Sequence, residues 1–267
     1  MANSCISCKA TTDLMHIPGA YANPGYWRCK KDCSFKDTLV VSCCFAPGNP
    51  GYYAKYADRL EASLDKFHPD LHRFVWRNTW PKDSPPHKSL HYGFKFYALR
   101  EAFNRGYRKA IWLDAGTELL APMDPVFKML DDRGYALLTG PDVLGEWISD
   151  AALAHLGSTR ERAMELKLAG GCLIGLDIHN SKAVQFFSAY EKLAKETTLF
   201  MAHHTERSVE NGVMRSVLVS DADNVPISND PRVKGHRSDE ACFSVIMDKL
   251  GMHPMNLTEW YKFARTY

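Results

Sequence analysis

The sequence has no apolar run approaching the roughly 20 residues that a membrane span requires. Its opening stretch, MANSCISCKATTD, has neither the basic start nor the apolar core of an export signal. Both absences lead to the expectation of a soluble, cytoplasmic chain. An excess of one charge is also missing. With 33 Lys and Arg against 31 Asp and Glu, the net charge is +2, and no basic cluster or aromatic-basic stripe stands out, which argues against a dedicated nucleic-acid or membrane-surface binder. No segment repeats and none is of low complexity. What is present is a globular composition, 45% hydrophobic and 24% charged over 267 residues, enough for one large domain, or one domain and a small appendage, with a sizeable core.

Residues 1–37 differ from the rest, being rich in Cys, Gly, Pro and Lys without sustained periodicity. They read as an irregular arm before a domain spanning 38–267. Four of the eight cysteines fall here, as Cys5-x-x-Cys8 and Cys29-x-x-x-Cys33. Two close pairs on tight turns can supply four thiolates to one tetrahedral zinc ion, and His16 could stand in for one of them. In a chain without an export signal, reduced and unligated cysteines fit equally, and disulfides do not.

From Thr38 the pattern alternates. Thr38–Phe45 is a continuous β-branched run of buried-strand type. Residues 52–67 carry Tyr53, Tyr56, Ala57, Leu60 and Leu64 at helical spacing. A strand at 72–76, a proline-rich loop at 78–88, and a helix at 90–105 ended by Gly106 follow. Then come a strand at 109–113, a short helix from Asp124-Pro125 to Leu130, a strand at 135–139, and a loop with a helix at 142–168. Leu168–Ile178 is a strand entered through Gly170-Gly171, an amphipathic helix occupies 181–196, and 215–219 has strand composition. A last helix runs from Ser238, read as its N-cap, to Leu250 before Gly251. Strands alternating with helices predict an α/β domain with a mostly parallel central sheet flanked by helices.

Two acidic points carry the candidate chemistry. Asp114 follows the strand Lys109–Leu113, and in open α/β sheets ligands sit outside the carboxyl ends of strands. An Asp beside Gly also serves simply to shape a turn. The second point is Gly235-His236-Arg237-Ser238-Asp239-Glu240, where two acids in a first helical turn answer the helix dipole but His236 and Arg237 do not. Asp114 and His236 together would suit manganese or magnesium bound with a diphosphate.

The order of a W-L-D-A-G strand end, a D-P helix, an A-G-G-C-L-I-G-L strand and an H-R-S-D-E-A-C-F-S helix resembles the GT-A class of nucleotide-sugar glycosyltransferases, the small bacterial and viral members above all, over residues 38–255. The resemblance implies a single GT-A-like, Rossmann-like domain. It implies a nucleotide-sugar donor and a glycan, lipid-linked or protein acceptor. In that class the strand-end pattern is D-x-D and holds the metal that bridges the donor diphosphate. Here it reads Asp114-Ala115-Gly116, so the second acid is missing. Asp114 could act with His236, Glu118 could supply the lost carboxylate, or Lys95, Arg100 and Arg237 could neutralise the leaving diphosphate without a metal. The loop at 46–53 resembles the place where such enzymes hold the nucleoside, which puts Ala46, Tyr52 and Tyr53 on the donor side. Asp239 matches the position of the base in inverting members, with Glu240 as its alternate. Gly170, Gly171 and Trp147 would line the sugar or acceptor.

Two other readings stand beside transfer. A sugar-phosphate nucleotidyltransferase would share a similar sheet, but the loop APGNPGYYAK lacks that class's glycine-rich, basic phosphate loop. A zinc-ribbon binding protein with a non-catalytic α/β scaffold is the third.

Overall fold

The computed structural model describes residues 37–45, 50–87, 89–196, 199–201 and 227–267, and the backbone alone at 14–17, 26–29, 204–210 and 213–219 and, within helical segments, at 50–53 and 201. In the N-terminal arm, Leu14–Ile17 (β1) pairs antiparallel with Tyr26–Cys29 (β2), regular structure that no periodicity signals. Cys5, Cys8 and Cys33, and the side chains of His16 and Cys29, lie outside the described residues, and with them the zinc question.

The domain from residue 38 is α/β. Its strands are Thr38–Cys44 (β3), His72–Arg77 (β4), Lys109–Leu113 (β5), Thr117–Leu119 (β6), Tyr135–Val143 (β7), Lys167–Asp177 (β8), His204–Glu210 (β9), Val213–Val219 (β10), Met255–Asn256 (β11) and Ala264–Thr266 (β12). Its helices are Pro50–Phe67 (α1), Phe94–Asn104 (α2), Asp124–Arg133 (α3), Asp150–His155 (α4), Arg160–Glu165 (α5), Ser181–Glu196 (α6), Ser238–Lys249 (α7) and Leu257–Trp260 (α8). Six strands form the central sheet in the order β11-β7-β8-β5-β3-β4. β3 is parallel to β4 and β5, and β11 to β7, while β8 runs antiparallel to both β5 and β7. Five strands thus share one direction and one opposes them, a mostly parallel sheet as the alternating pattern predicts.

Both faces of the sheet are covered, which is why β3 and β5 read as unbroken apolar runs. Alternate residues divide between two cores. Leu39, Val41, Ala110, Trp112, Ile174 and Leu176 pack with Phe96 and Phe103 of α2, Phe186 and Phe187 of α6 and Phe243 of α7. Val40, Ile111, Leu113 and Leu173 face the other way, onto Leu60 and Leu64 of α1, Val126 and Leu130 of α3, and the C-terminal Trp260 and Phe263. A smaller cluster seats α4 and α5 against Ala241 and Val245 of α7.

Two helix starts differ from the sequence expectation for a backbone reason. α2 begins at Phe94 rather than at Leu90, because Tyr92 holds φ +56, which a right-handed helix cannot continue through. At α7 the N-cap is Arg237, whose side chain caps no backbone N–H, and Ser238, expected to cap, instead takes φ +41. A further pairing had no signal at all: β12 lies antiparallel to β6, immediately after the Asp114 turn.

Candidate active site

Trp112 and Asp114 are two residues apart at the end of β5, so their side chains leave the same face of the sheet. That is the face carrying α2 and α7. Trp112 Nε1 donates to Asp114 Oδ1 at 2.8 Å, which fixes one carboxylate oxygen. The backbone is held as well: Asp114 N donates to Cys172 O on β8 (3.1 Å), and Thr117 N donates to Asp114 O (2.9 Å), closing the turn. The Asp114 side chain keeps 35% of its surface exposed.

Lys95 reaches under this carboxylate from α2. Its Nζ lies 3.7 Å from Asp114 Oδ1, donates to Gly171 O at 3.1 Å, and stands 4.9 Å from the centre of the Tyr92 ring. It also lies 3.1 Å from Asp239 Oδ2, an ion pair by distance though not aligned as a hydrogen bond. Burial pulls the Lys95 ammonium towards neutrality, but Asp114 and Asp239 outweigh it and hold its pKa well above the ordinary value. Asp239, 1% exposed, shows the opposite balance: burial pushes its carboxyl up to about 6, against the pull of Lys95.

Glu240 closes the cluster. Its Oε1 accepts from Gly171 N at 2.9 Å and its Oε2 accepts from Arg237 Nε at 3.2 Å. Ser244, one turn later on α7, donates to Glu240 O (2.8 Å) and accepts from Ala169 N of β8 (2.7 Å), pinning the first turn of the helix to the strand. Gly171 is therefore clasped at both backbone groups. A Cβ there would lie 2.7 Å from Lys95 Nζ and 3.2 Å from Glu240 Cγ and Oε1, so only glycine lets these two side chains meet the strand.

The structure thus brings Asp114, Lys95, Gly171, Arg237, Asp239 and Glu240 into one cluster. Trp147 adjoins it: its carbonyl accepts from Arg237 N (3.0 Å) and its ring centre is 5.9 Å from the Arg237 guanidinium. Other sequence candidates lie elsewhere. His236 is fully buried with both ring nitrogens taken, Nδ1 accepting from Ser149 N (3.1 Å) and Nε2 donating to Leu199 O (2.9 Å). Glu118 turns to Tyr267, accepting from its hydroxyl at 2.8 Å, with Arg59 3.9 Å away. Arg100 is held by Asp83 (3.0 Å) and Lys82 O (3.1 Å) of the proline-rich loop. Ala115 packs with Cys44 and Ala57. Gly116 is required by β12, since a Cβ there would come 2.6 Å from Tyr267 O, and a Cβ at Gly170 would come 3.2 Å from Leu138 Cβ. Ala46 and the side chains of Tyr52 and Tyr53 lie outside the described residues.

The donor set expected for manganese or magnesium, Asp114 with Glu118 and His236, does not converge. His236 has no nitrogen left for a metal, Glu118 is engaged by Tyr267, and among the described residues no three His, Cys, Asp or Glu side chains are grouped to hold an ion. Three residues that shape the site were not singled out from sequence: Trp112, Ser244 and Tyr92. The first two have a signal in retrospect, the same-face spacing of Trp112 and Asp114 and the one-turn spacing of Glu240 and Ser244. Tyr92 has none.

No protein-family model matches the chain, and no curated protein matches it. Among the described residues no helix is long and apolar enough to cross a membrane. Among solved structures the chain is similar to a glycosyltransferase involved in the glycosylation of the major capsid of PBCV-1, at 14% identity over 60% of this chain and 68% of that one, with a TM-score of 0.35. It is similar also to mouse xyloside xylosyltransferase 1 in its apo form, at 9% identity over 84% of this chain and 89% of that one, with a TM-score of 0.40.

Proposed function

We propose that the chain is a glycosyltransferase that moves a sugar from a nucleotide-diphosphate donor to a glycan, lipid-linked or protein acceptor. One observation supports it above the rest. The acid ending β5 and the acid pair opening α7, far apart in sequence, meet around Lys95 and Gly171 at the carboxyl end of β5, where α/β sheets bind ligands.

In this reading the acceptor hydroxyl attacks the anomeric carbon, the bond from that carbon to the phosphate oxygen breaks, and the nucleoside diphosphate leaves with the bonding electron pair. The hydroxyl proton passes to a carboxylate. Glu240 is the member of the pair that meets an acceptor, because its side chain is 21% exposed against 2% for Asp239. Asp239 lies behind it and holds Lys95. Arg237, with its side chain 37% exposed, faces the diphosphate.

The test is a panel of UDP-, GDP- and TDP-sugars incubated with the full chain, reading slow donor hydrolysis and binding. Turnover of at least one donor, reduced about 10²–10⁴-fold by Glu240→Gln with folding retained, is the expected result. Failure to bind or hydrolyse any donor would sink the reading.

A further inference from the structure

Three oxygen atoms of this cluster are already gathered around a cation. Asp114 Oδ1, Asp239 Oδ2 and Gly171 O stand 3.7, 3.1 and 3.1 Å from Lys95 Nζ. They form an oxygen cage with an ammonium at its centre. Magnesium needs such ligands at about 2.0–2.1 Å in near-octahedral array, so uptake between these oxygens would require the cage to contract and Lys95 to leave it. Lys95 is 3% exposed on α2 beside the buried Phe96, so moving its ammonium would disturb a packed face.

The charge of a leaving diphosphate still has to be met. Among the described residues, the Arg237 guanidinium hydrogen-bonds only through Nε, on Glu240, with the Trp147 ring 5.9 Å away, and its side chain is 37% exposed. Its two terminal nitrogens make no hydrogen bond among the described residues, which leaves a planar fork of the kind that suits phosphate oxygens.

We infer that the site works without a divalent ion: Lys95 fills the oxygen cage as a built-in cation, and Arg237 neutralises the diphosphate as it leaves. The inference rests on the sugar-transfer reading and extends it. Lys95 acts through the carboxylates it gathers and is a positioning residue, whereas Arg237 touches the leaving group.

Two measurements on the full chain test this. The first is donor turnover in EDTA and in added Mn²⁺. Rates within about twofold of each other are expected, with Arg237→Met losing about 100-fold in kcat in both conditions and Arg237→Lys recovering part of it, the scale of losing one charge-stabilising donor. A loss in EDTA that Mn²⁺ restores, or an Arg237→Met variant as active as the parent, overturns the inference. The second is a Mn²⁺ titration followed by electron paramagnetic resonance, on the protein alone and with UDP or GDP. The free-ion signal is expected to fall no further than with nucleotide alone, and protein-dependent loss of that signal overturns the inference. Because the titration needs no turnover, a failed donor screen retires the transfer reading while the metal result stands separately.

Discussion

Replacing Lys95 by Met tests the centre of the site without reference to any substrate. Met keeps the length and apolar stem of the side chain and removes the charge, leaving Asp239 buried without its counter-ion. Breaking a buried ion pair from one side costs about 3–5 kcal/mol. For a chain of this size, at about 2–4 °C per kcal/mol, that is a fall in Tm of about 6–20 °C. The loss has a defined pH dependence. Asp239 has a folded pKa of about 6 against an ordinary 3.8, so folding binds its proton. Its contribution to stability therefore falls as pH rises from about 4 and levels off above about 6, at about 3 kcal/mol below its acid value. Without Lys95 the carboxyl moves higher still, and the decline continues to higher pH. The variant should accordingly lie closest to the parent near pH 5, where Asp239 is protonated in both, and fall furthest behind at pH 7.5–8. The titration of Lys95 itself does not enter, because its stabilising charge is fully present below the ordinary lysine pKa and is lost only above the raised one. Urea or thermal unfolding at pH 5 and pH 7.5 reads the difference, and Asp239→Asn on the Met background should recover most of it. A variant that melts within about 2 °C of the parent at pH 7.5, or with the same deficit at both pH values, would refute the charge-pair account.

Three further substitutions separate site from scaffold. Gly171→Ala places a methyl 2.7 Å from Lys95 Nζ and should cost about 1–3 kcal/mol by overpacking, with loss of donor binding; unchanged melting and binding would mean the clasp has slack. His236→Ala orphans the buried Ser149 N–H and opens a cavity, so a loss of about 2–4 kcal/mol in urea unfolding is expected, with Mn²⁺ uptake unchanged from the parent; altered uptake would restore His236 as a ligand. Gly116→Ala meets the Tyr267 carbonyl at 2.6 Å, a backbone atom that cannot rotate away, and should free the β6–β12 pairing. Hydrogen exchange at Leu120 and Tyr267, whose N–H groups donate to Phe263 O and Gly116 O, would report that release, and unchanged protection would show that β12 simply shifts.

Elements whose burial pattern is written locally were legible. β5 and α6 fall at the expected residues, and β3 differs by one at its end, because a strand buried on both faces shows an unbroken apolar run and an amphipathic helix shows its stripe. The direction of β8 was not legible, since side-chain alternation is the same whichever way a strand runs. Nor was β12, three residues whose pairing depends on a turn more than a hundred positions away. At the site, the structure brings Asp114, Lys95, Gly171, Arg237, Asp239 and Glu240 together, but their positions within the cluster were not legible. The Gly170-Gly171 pair reads as one feature, yet Gly171 accommodates Lys95 and Glu240 while Gly170 accommodates Leu138. Lys95 reads as a phosphate-facing cation on a helix surface, yet it sits beneath the carboxylates.

The start of α7 shows why the acid pair could not be assigned from spacing alone. Two acids in a first turn are fully explained by the helix dipole if the turn is well formed. Here it is poorly formed as a helix start. Its cap side chain accepts no backbone N–H, Ser238 takes φ +41, and the buried Ser238 Oγ finds no partner among the described residues. A non-glycine residue held at such an angle costs about 1–3 kcal/mol. The acids that follow are not spent on the helix either, since Asp239 faces Lys95 and Glu240 faces Gly171 N and Arg237. A strained turn and a left-handed Tyr92 both adjoin Lys95; Ser244 bonds the first to Ala169 N of β8, and the Tyr190 hydroxyl of α6 bonds the Tyr92 carbonyl. Local rules fail here in a way they fail nowhere else along α7, and strain gathered around one charged cluster is what the proposed site requires and an incidentally acidic helix end does not.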